Sequence, residues 1–207
     1  MSTSDYKQDA LKAKDKLAEV SPTMCLAKWN QTSLHLPTGL TNSCYHPPLH
    51  EIDADAVKLN PAALHNTAEK LNQRQQMLQG EQPEGCSYCW NMEKTGEMSD
   101  RHYRSGEPWA MQDFEDIRKN PIDEHWTPRY VEVNFNNACN LKCSYCSPQF
   151  STTWGKEIDR YGQYPTSPPH NAPEHFQGRR KPIPNREDNP YVTAFWKWWP
   201  TLYKNLK

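Results

Sequence analysis

The sequence predicts an α/β chain, a small α+β module followed by the first strand and helix of a parallel β/α arrangement. Three observations predict it. Residues Gln31 to Leu36 read as a strand, Pro37-Thr38-Gly39 as a turn, and Leu40 to Cys44 as the returning strand. Asn60-Pro61 opens a helical pattern with a cap and a first-turn proline. Arg129 to Phe135 alternates strictly, and Phe150 to Arg160 follows as a helix.

Taken in order, Asp5 to Val20 is a short helix stopped by Ser21-Pro22. It has little apolar face, which predicts a loosely docked tail over 1–22. The hairpin brings the neighbourhoods of Cys25 and Cys44 together. In the helix after Pro61, Leu64, Ala68, Leu71 and Leu78 recur at helical spacing until Gly80. Cys86-Ser-Tyr-Cys89 comes next, within a module over 23–105. Pro108 to Lys119 is a helix with Met111, Phe114, Ile117 and Arg118 on one face, in a linker over 106–128. Over 129–207, the strand sets Val131, Val133 and Phe135 against Tyr130, Glu132 and Asn134, and runs into Cys139. Tyr161 to Pro190 is proline-rich and patternless, far longer than a usual connection. Val192, Phe195, Trp196, Trp199, Leu202 and Tyr203 then form a bulky stripe in a helix that Pro200 is expected to kink or split.

Composition bounds the function. Leu, Ile, Val and Phe together number 29 of 207 residues. That is a thin supply of core formers, and eight Trp and ten Tyr make up part of the deficit. A net charge of −1 argues against disorder by self-repulsion and against a general nucleic-acid or membrane-surface partner. The one compact basic run, Arg179-Arg180-Lys181, reads as a solvated loop. No apolar run suits export or a membrane span, so a cytoplasmic location is expected. In a reducing compartment seven cysteines point to metal binding or catalysis before disulfides.

The sharpest signal is Cys139-Asn-Leu-Lys-Cys143-Ser-Tyr-Cys146, a C-x3-C-x2-C loop directly after a strand. Three thiolates on one short loop suit three corners of an iron–sulfur cube, and no Cys or His follows until His170. A zinc knuckle is the competing reading. The second constellation is Cys25, Cys44, Cys86 and Cys89, separated by 18, 41 and 2 residues. Four thiolates can close a tetrahedral zinc site or a fully ligated cluster, and spacing alone does not choose. His35, His46 and His50 stand near these cysteines as substitute ligands, although hydrogen-bonding roles are the plainer reading. Trp196, Trp198 and Trp199 read as core aromatics before base-stacking ones.

The loop resembles the signature of the radical S-adenosylmethionine superfamily, C-x3-C-x-aromatic-C, with Tyr145 at the aromatic position. The resemblance implies a full or partial (β/α)6 barrel of which this chain holds the first β/α portion. It also implies that Cys139, Cys143 and Cys146 ligate a [4Fe–4S] cluster and that Tyr145 packs near the adenine of S-adenosylmethionine. Reductive cleavage of that cosubstrate then yields methionine and a 5′-deoxyadenosyl radical, which abstracts hydrogen from a peptide, protein or small-molecule substrate. An electron donor such as flavodoxin or ferredoxin is implied as a partner. Leu34-His-Leu-Pro-Thr-Gly39, Cys44-Tyr-His46, Cys86-Ser-Tyr-Cys89-Trp90, Asn134-Phe-Asn-Asn-Ala-Cys139 and Phe195-Trp-Lys-Trp-Trp-Pro200 extend the likeness to the Twitch module, a shortened relative of the SPASM domain. On that likeness Cys25, Cys44, Cys86 and Cys89 hold an auxiliary iron–sulfur cluster, with zinc as the alternative. The family's next strand carries a Gly-Gly-Glu motif, and this sequence has no Gly-Gly pair. A truncated product, a split gene or a fragment completed by a second chain is therefore expected, as is a strand 129–135 without parallel neighbours. A metal-binding module without turnover is the alternative to an enzyme.

Overall fold

The computed structural model describes residues 3–146, 148, 150–162 and 188–206. The long proline-rich stretch, with Arg179-Arg180-Lys181, lies outside them from residue 163 to 187. Helix α1 (Thr3–Ala18) leads to α2 (Ala27–Asn30), β1 (Gln31–His35), β2 (Leu40–Asn42) and β3 (His50–Glu51). Then come α3 (Ala54–Leu59), a 3-10 turn (Pro61–Leu64), α4 (Ala68–Leu78), α5 (Ser87–Lys94), α6 (Asp100–Gly106), α7 (Pro108–Met111) and α8 (Phe114–Lys119). Strand β4 (Tyr130–Asn134), α9 (Thr152–Tyr161) and α10 (Pro190–Leu202) complete the described elements. No helix among the described residues is long and apolar enough to cross a membrane.

The chain is α/β, mostly helical, around one small mixed sheet in the order β3-β2-β1-β4. The hairpin forms as its turn chemistry dictates. Gly39 takes φ +65° at the turn, and β1 pairs antiparallel with β2, Ser33 opposite Asn42 and His35 opposite Leu40. Strand β4 does have a parallel neighbour, contrary to expectation. It pairs with β1 from Gln31 opposite Tyr130 to His35 opposite Asn134. Stretches assigned to separate modules on either side of residue 129 thus share a sheet.

They also share a core. Leu34, Leu36, Ile52, Val57 and Leu64 pack with Tyr191, Val192, Phe195, Trp198 and Leu202 of α10, and Val131, Val133 and Phe135 lie against them. The alternation read in β4 therefore marks the face that α10 covers. Asn189 caps α10, accepting from the N–H groups of Tyr191 and Val192 at 3.0 and 3.2 Å. Pro200 does not split this helix, which continues to Leu202. It stands in the last turn, where few carbonyls remain to be left unbonded.

Other expectations are corrected by packing. The tail is firmly docked: Ala10, Ala13 and Leu17 are buried, and Gly106 of α6 comes against the backbone of Asp9. Small side chains, not a broad apolar stripe, permit that close approach. The helix expected from Pro61 to Gly80 breaks at His65-Asn66, and Thr67 restarts it by accepting from the Lys70 N–H at 3.2 Å. Its buried face is Lys70, Gln73, Arg74 and Met77 rather than the leucines. The period is as read, and the face is polar because it meets hydroxyls and carbonyls. The helix expected over 108–119 divides around Asp113, whose carboxylate accepts from Arg129 at 2.7 and 2.6 Å and from Asn30 at 3.0 Å.

Candidate functional site

Two groups of cysteines sit at opposite ends of the sheet, and no disulfide joins any of the seven. Cys139 lies beyond the C-terminal end of β4. Because β2 runs antiparallel to β1, Cys44 lies beyond the end of β2 that faces the start of β1, the end to which Cys25 also leads. The length of β1, about 3.3 Å per residue, stands between the groups.

The C-x3-C-x2-C loop is held from behind by α9. Ser151 caps that helix and donates its hydroxyl to the Leu141 carbonyl at 2.7 Å. The Cys139 carbonyl accepts from the hydroxyls of Thr152 and Thr153 at 3.1 and 3.0 Å, and the Cys143 carbonyl from the Trp154 indole at 3.1 Å. Lys142 pairs with Glu157. Backbone carbonyls are thereby turned toward the helix. The Leu141 N–H points at the Cys139 sulfur at 3.5 Å, the sense of hydrogen bond that stabilises a thiolate or a cluster sulfur. All three cysteines are half-buried, while Tyr145 is 79% exposed. The Tyr145 hydroxyl pKa is raised by its hydrogen bond to Cys143 and by the charge of that thiol.

The four N-terminal cysteines come together, as the hairpin reading expected for Cys25 and Cys44. Cys25, Cys44, Cys86 and Cys89 line one pocket, with Trp90 and Met77 packed on its apolar side. Cys86 and Cys89 reach it from the start of α5, with Trp90 anchored by its indole N–H to the Pro83 carbonyl at 2.9 Å. Burial pushes the Cys25 thiol up to about 12, helped by the other three sulfurs and opposed by Arg101. Burial likewise pushes Cys44 up to about 11, against the pull of the His46 N–H and the Lys28 ammonium. Among the described residues, no three Cys, His, Asp or Glu side chains meet in metal-holding geometry.

The donor chemistry of this pocket nonetheless fits a thiophilic metal or cluster. The Ser43 hydroxyl, fully enclosed beside Cys44, has no hydrogen-bond partner among the described residues and lines the same pocket as the thiols. A thiolate or cluster sulfur is the acceptor such a donor lacks. Of the candidate substitute ligands, His46 stacks on Tyr88 at 3.8 Å and sits 2.7 Å from Asp100. His50 is 2.9 Å from the Thr67 hydroxyl, whereas His35 lies edge-on to Phe150 and its buried Nδ1 has no hydrogen-bond partner among the described residues. Residues not singled out from the sequence complete the wall: Lys28, Ser43, Asp100, Arg101 and Arg104. The i, i+3 spacing of Arg101 and Arg104 just after the C-x2-C helix was the available signal.

The architecture thus defines an α/β protein with a cysteine-lined pocket at one end of its sheet and a three-cysteine loop at the other. Compared with known proteins, the chain matches no family model, no curated protein and no solved structure.

Proposed function

We propose that this chain is the N-terminal portion of a radical S-adenosylmethionine iron–sulfur enzyme, with Cys139, Cys143 and Cys146 as ligands of a [4Fe–4S] cluster. The observation that carries the reading is the three-cysteine loop leaving the C-terminal end of a parallel strand, the end at which β/α folds place their chemistry. A cluster held there supplies the electron that cleaves S-adenosylmethionine reductively to methionine and a 5′-deoxyadenosyl radical for hydrogen abstraction. Helix α9 fixes the loop by binding the Cys139 and Cys143 carbonyls, and exposed Tyr145 is available to the adenine. Cys25, Cys44, Cys86 and Cys89 hold the auxiliary centre, read as iron–sulfur with zinc as the alternative. Partners on this reading are an electron donor of the flavodoxin or ferredoxin kind and a peptide or small-molecule substrate. A further polypeptide segment pairs with β4, an edge strand among the described residues.

A metal-binding module without turnover is the second reading. Anaerobic reconstitution with iron and sulfide decides between them. A reduced-state EPR signal that Cys139→Ser removes, with 5′-deoxyadenosine formed, supports the enzyme. The same signal without 5′-deoxyadenosine supports the module. No iron-dependent signal, with Cys139→Ser behaving as the parent, overturns the cluster assignment.

A further inference from the structure

Besides Ser43 Oγ, three enclosed side-chain atoms lack a hydrogen-bond partner among the described residues: Gln31 Oε1, His35 Nδ1 and Asn42 Oδ1. All three stand on one face of the sheet. Alternation along β1 turns Gln31, Ser33 and His35 away from the face that α10 covers, and Asn42 is directly across from Ser33 on β2. On the other side of β1, Tyr130 is across from Gln31 and Glu132 from Ser33. The hydroxyls of Ser33 and Tyr130 donate to the two oxygens of the Glu132 carboxylate at 2.9 and 2.8 Å. Gln31 is 3% exposed and Asn42 8%, and the Asn42 Nδ2 donates to the Pro47 carbonyl at 3.5 Å, which leaves its Oδ1 as the end without a partner.

An enclosed carbonyl without a donor costs stability, and a fold that keeps two of them beside a carboxylate lacks donors that a ligand can bring. The amide oxygens of Gln31 and Asn42 only accept, as does the Glu132 carboxylate. Glu51, across from Leu40 on β3, adds a second carboxylate to this face, and Arg104 is a cation acting on Tyr130 from α6. An ammonium group carries three N–H donors and one positive charge, which suits two carbonyls and a carboxylate.

We infer that this sheet face binds the ammonium group of an amine-bearing ligand, held by Glu132 and by the side-chain carbonyls of Gln31 and Asn42. Tyr130 and Glu132 are the exposed members of the row, so the ligand enters there. The ammonium takes the place of the Tyr130 hydroxyl on Glu132, and the two amides turn their oxygens to it. His35 continues the row to the end of β1 nearest the three-cysteine loop, so the ligand lies along β1 between the two cysteine groups. The inference requires neither group to hold a metal.

The test titrates the full chain with n-butylammonium chloride at neutral pH and constant ionic strength, with n-butanol as the uncharged counterpart. The side-chain amide signals of Gln31 and Asn42 in proton–nitrogen correlation spectra report binding, each identified by its loss in Gln31→Leu and Asn42→Leu. Butylammonium is expected to shift both signals to saturation and butanol neither. Glu132→Gln is expected to weaken binding about tenfold, and Tyr130→Phe to keep or tighten it. Gln31→Leu is expected to weaken binding about tenfold while the melting temperature of the ligand-free protein is unchanged or raised, the signature of a group kept for a ligand. No saturable shift in the parent, an equal response to butanol, or unchanged affinity in Glu132→Gln overturns the inference. A lowered melting temperature in Gln31→Leu also overturns it, because the amide then serves the fold.

Discussion

Arg101 grips Glu93 with both ends of its guanidinium, Nε to Oε1 at 2.9 Å and Nη2 to Oε2 at 2.7 Å. Its third nitrogen donates to the Met24 carbonyl at 2.7 Å, next to Cys25, and its face lies 5.3 Å from the Trp90 ring. One side chain thus ties α6, the end of α5 and the segment bearing Cys25 around the cysteine pocket. Bidentate pairing within a largely buried setting is the strong form of ion pair. Arg101→Ala is expected to lower stability by about 3 kcal/mol, read from the urea midpoint, because Glu93 is left partly buried with only the Ser99 hydroxyl and His102 beside it.

Gly39 and Tyr191 are locked at the hairpin turn. A Cβ on Gly39 would collide with the buried Tyr191 ring, and the residue holds φ +65°. Strain and overpacking add, so Gly39→Ala is expected to cost about 3 kcal/mol in chemical denaturation. Tyr191→Leu in that background recovers part of the loss, which separates the clash from the backbone term.

Helix α10 separates its tryptophans sharply. Trp198 is 4% exposed within the core, whereas Trp196 is 55% exposed and stacks on Phe135 at 5.5 Å. Trp198→Ala is expected to cost roughly 3–5 kcal/mol. Trp196→Ala is expected to cost about 1 kcal/mol or less by the same measurement.

Acid is expected to unfold the protein from the histidines first. Burial, then the charges of Lys70 and Lys28, lowers His50 to about 3, and burial with Arg101 lowers His102 to about 4. Both are neutral in the fold and take up protons near pH 6.5 once unfolded. Their contribution is therefore complete above about 6.5 and is lost as pH falls from there toward 4 and then 3. Urea midpoints should decline across that window, and less steeply in His50→Gln and His102→Gln.

Thiol alkylation is expected to distinguish the two cysteine groups in metal-free protein. Burial holds Cys25 and Cys44 protonated at about 12 and 11, and Cys25 is 8% exposed. At pH 8, iodoacetamide should modify Cys139, Cys143 and Cys146 roughly a hundredfold faster or more, followed by peptide mass spectrometry.

Local patterning determined much of this protein. The Pro-Thr-Gly turn, the alternation of residues 129–135 and the three-cysteine loop were all readable, since each depends on near neighbours and on periods of 2 or 3.6. The shared fate of Cys25 and Cys44 was readable too, because a hairpin relates them. What only tertiary structure decided is what lies across from each element: that β1 is the parallel partner of β4, that α4 buries Lys70 and Arg74 instead of its leucines, and that α10 turns Trp198 inward. Periodicity specifies that a helix has a face and not what that face will meet. For α4 the answer is set by hydroxyls and carbonyls contributed from β1, β2 and the Trp29 region, about 30 to 45 residues away in sequence, and no local reading reaches that far.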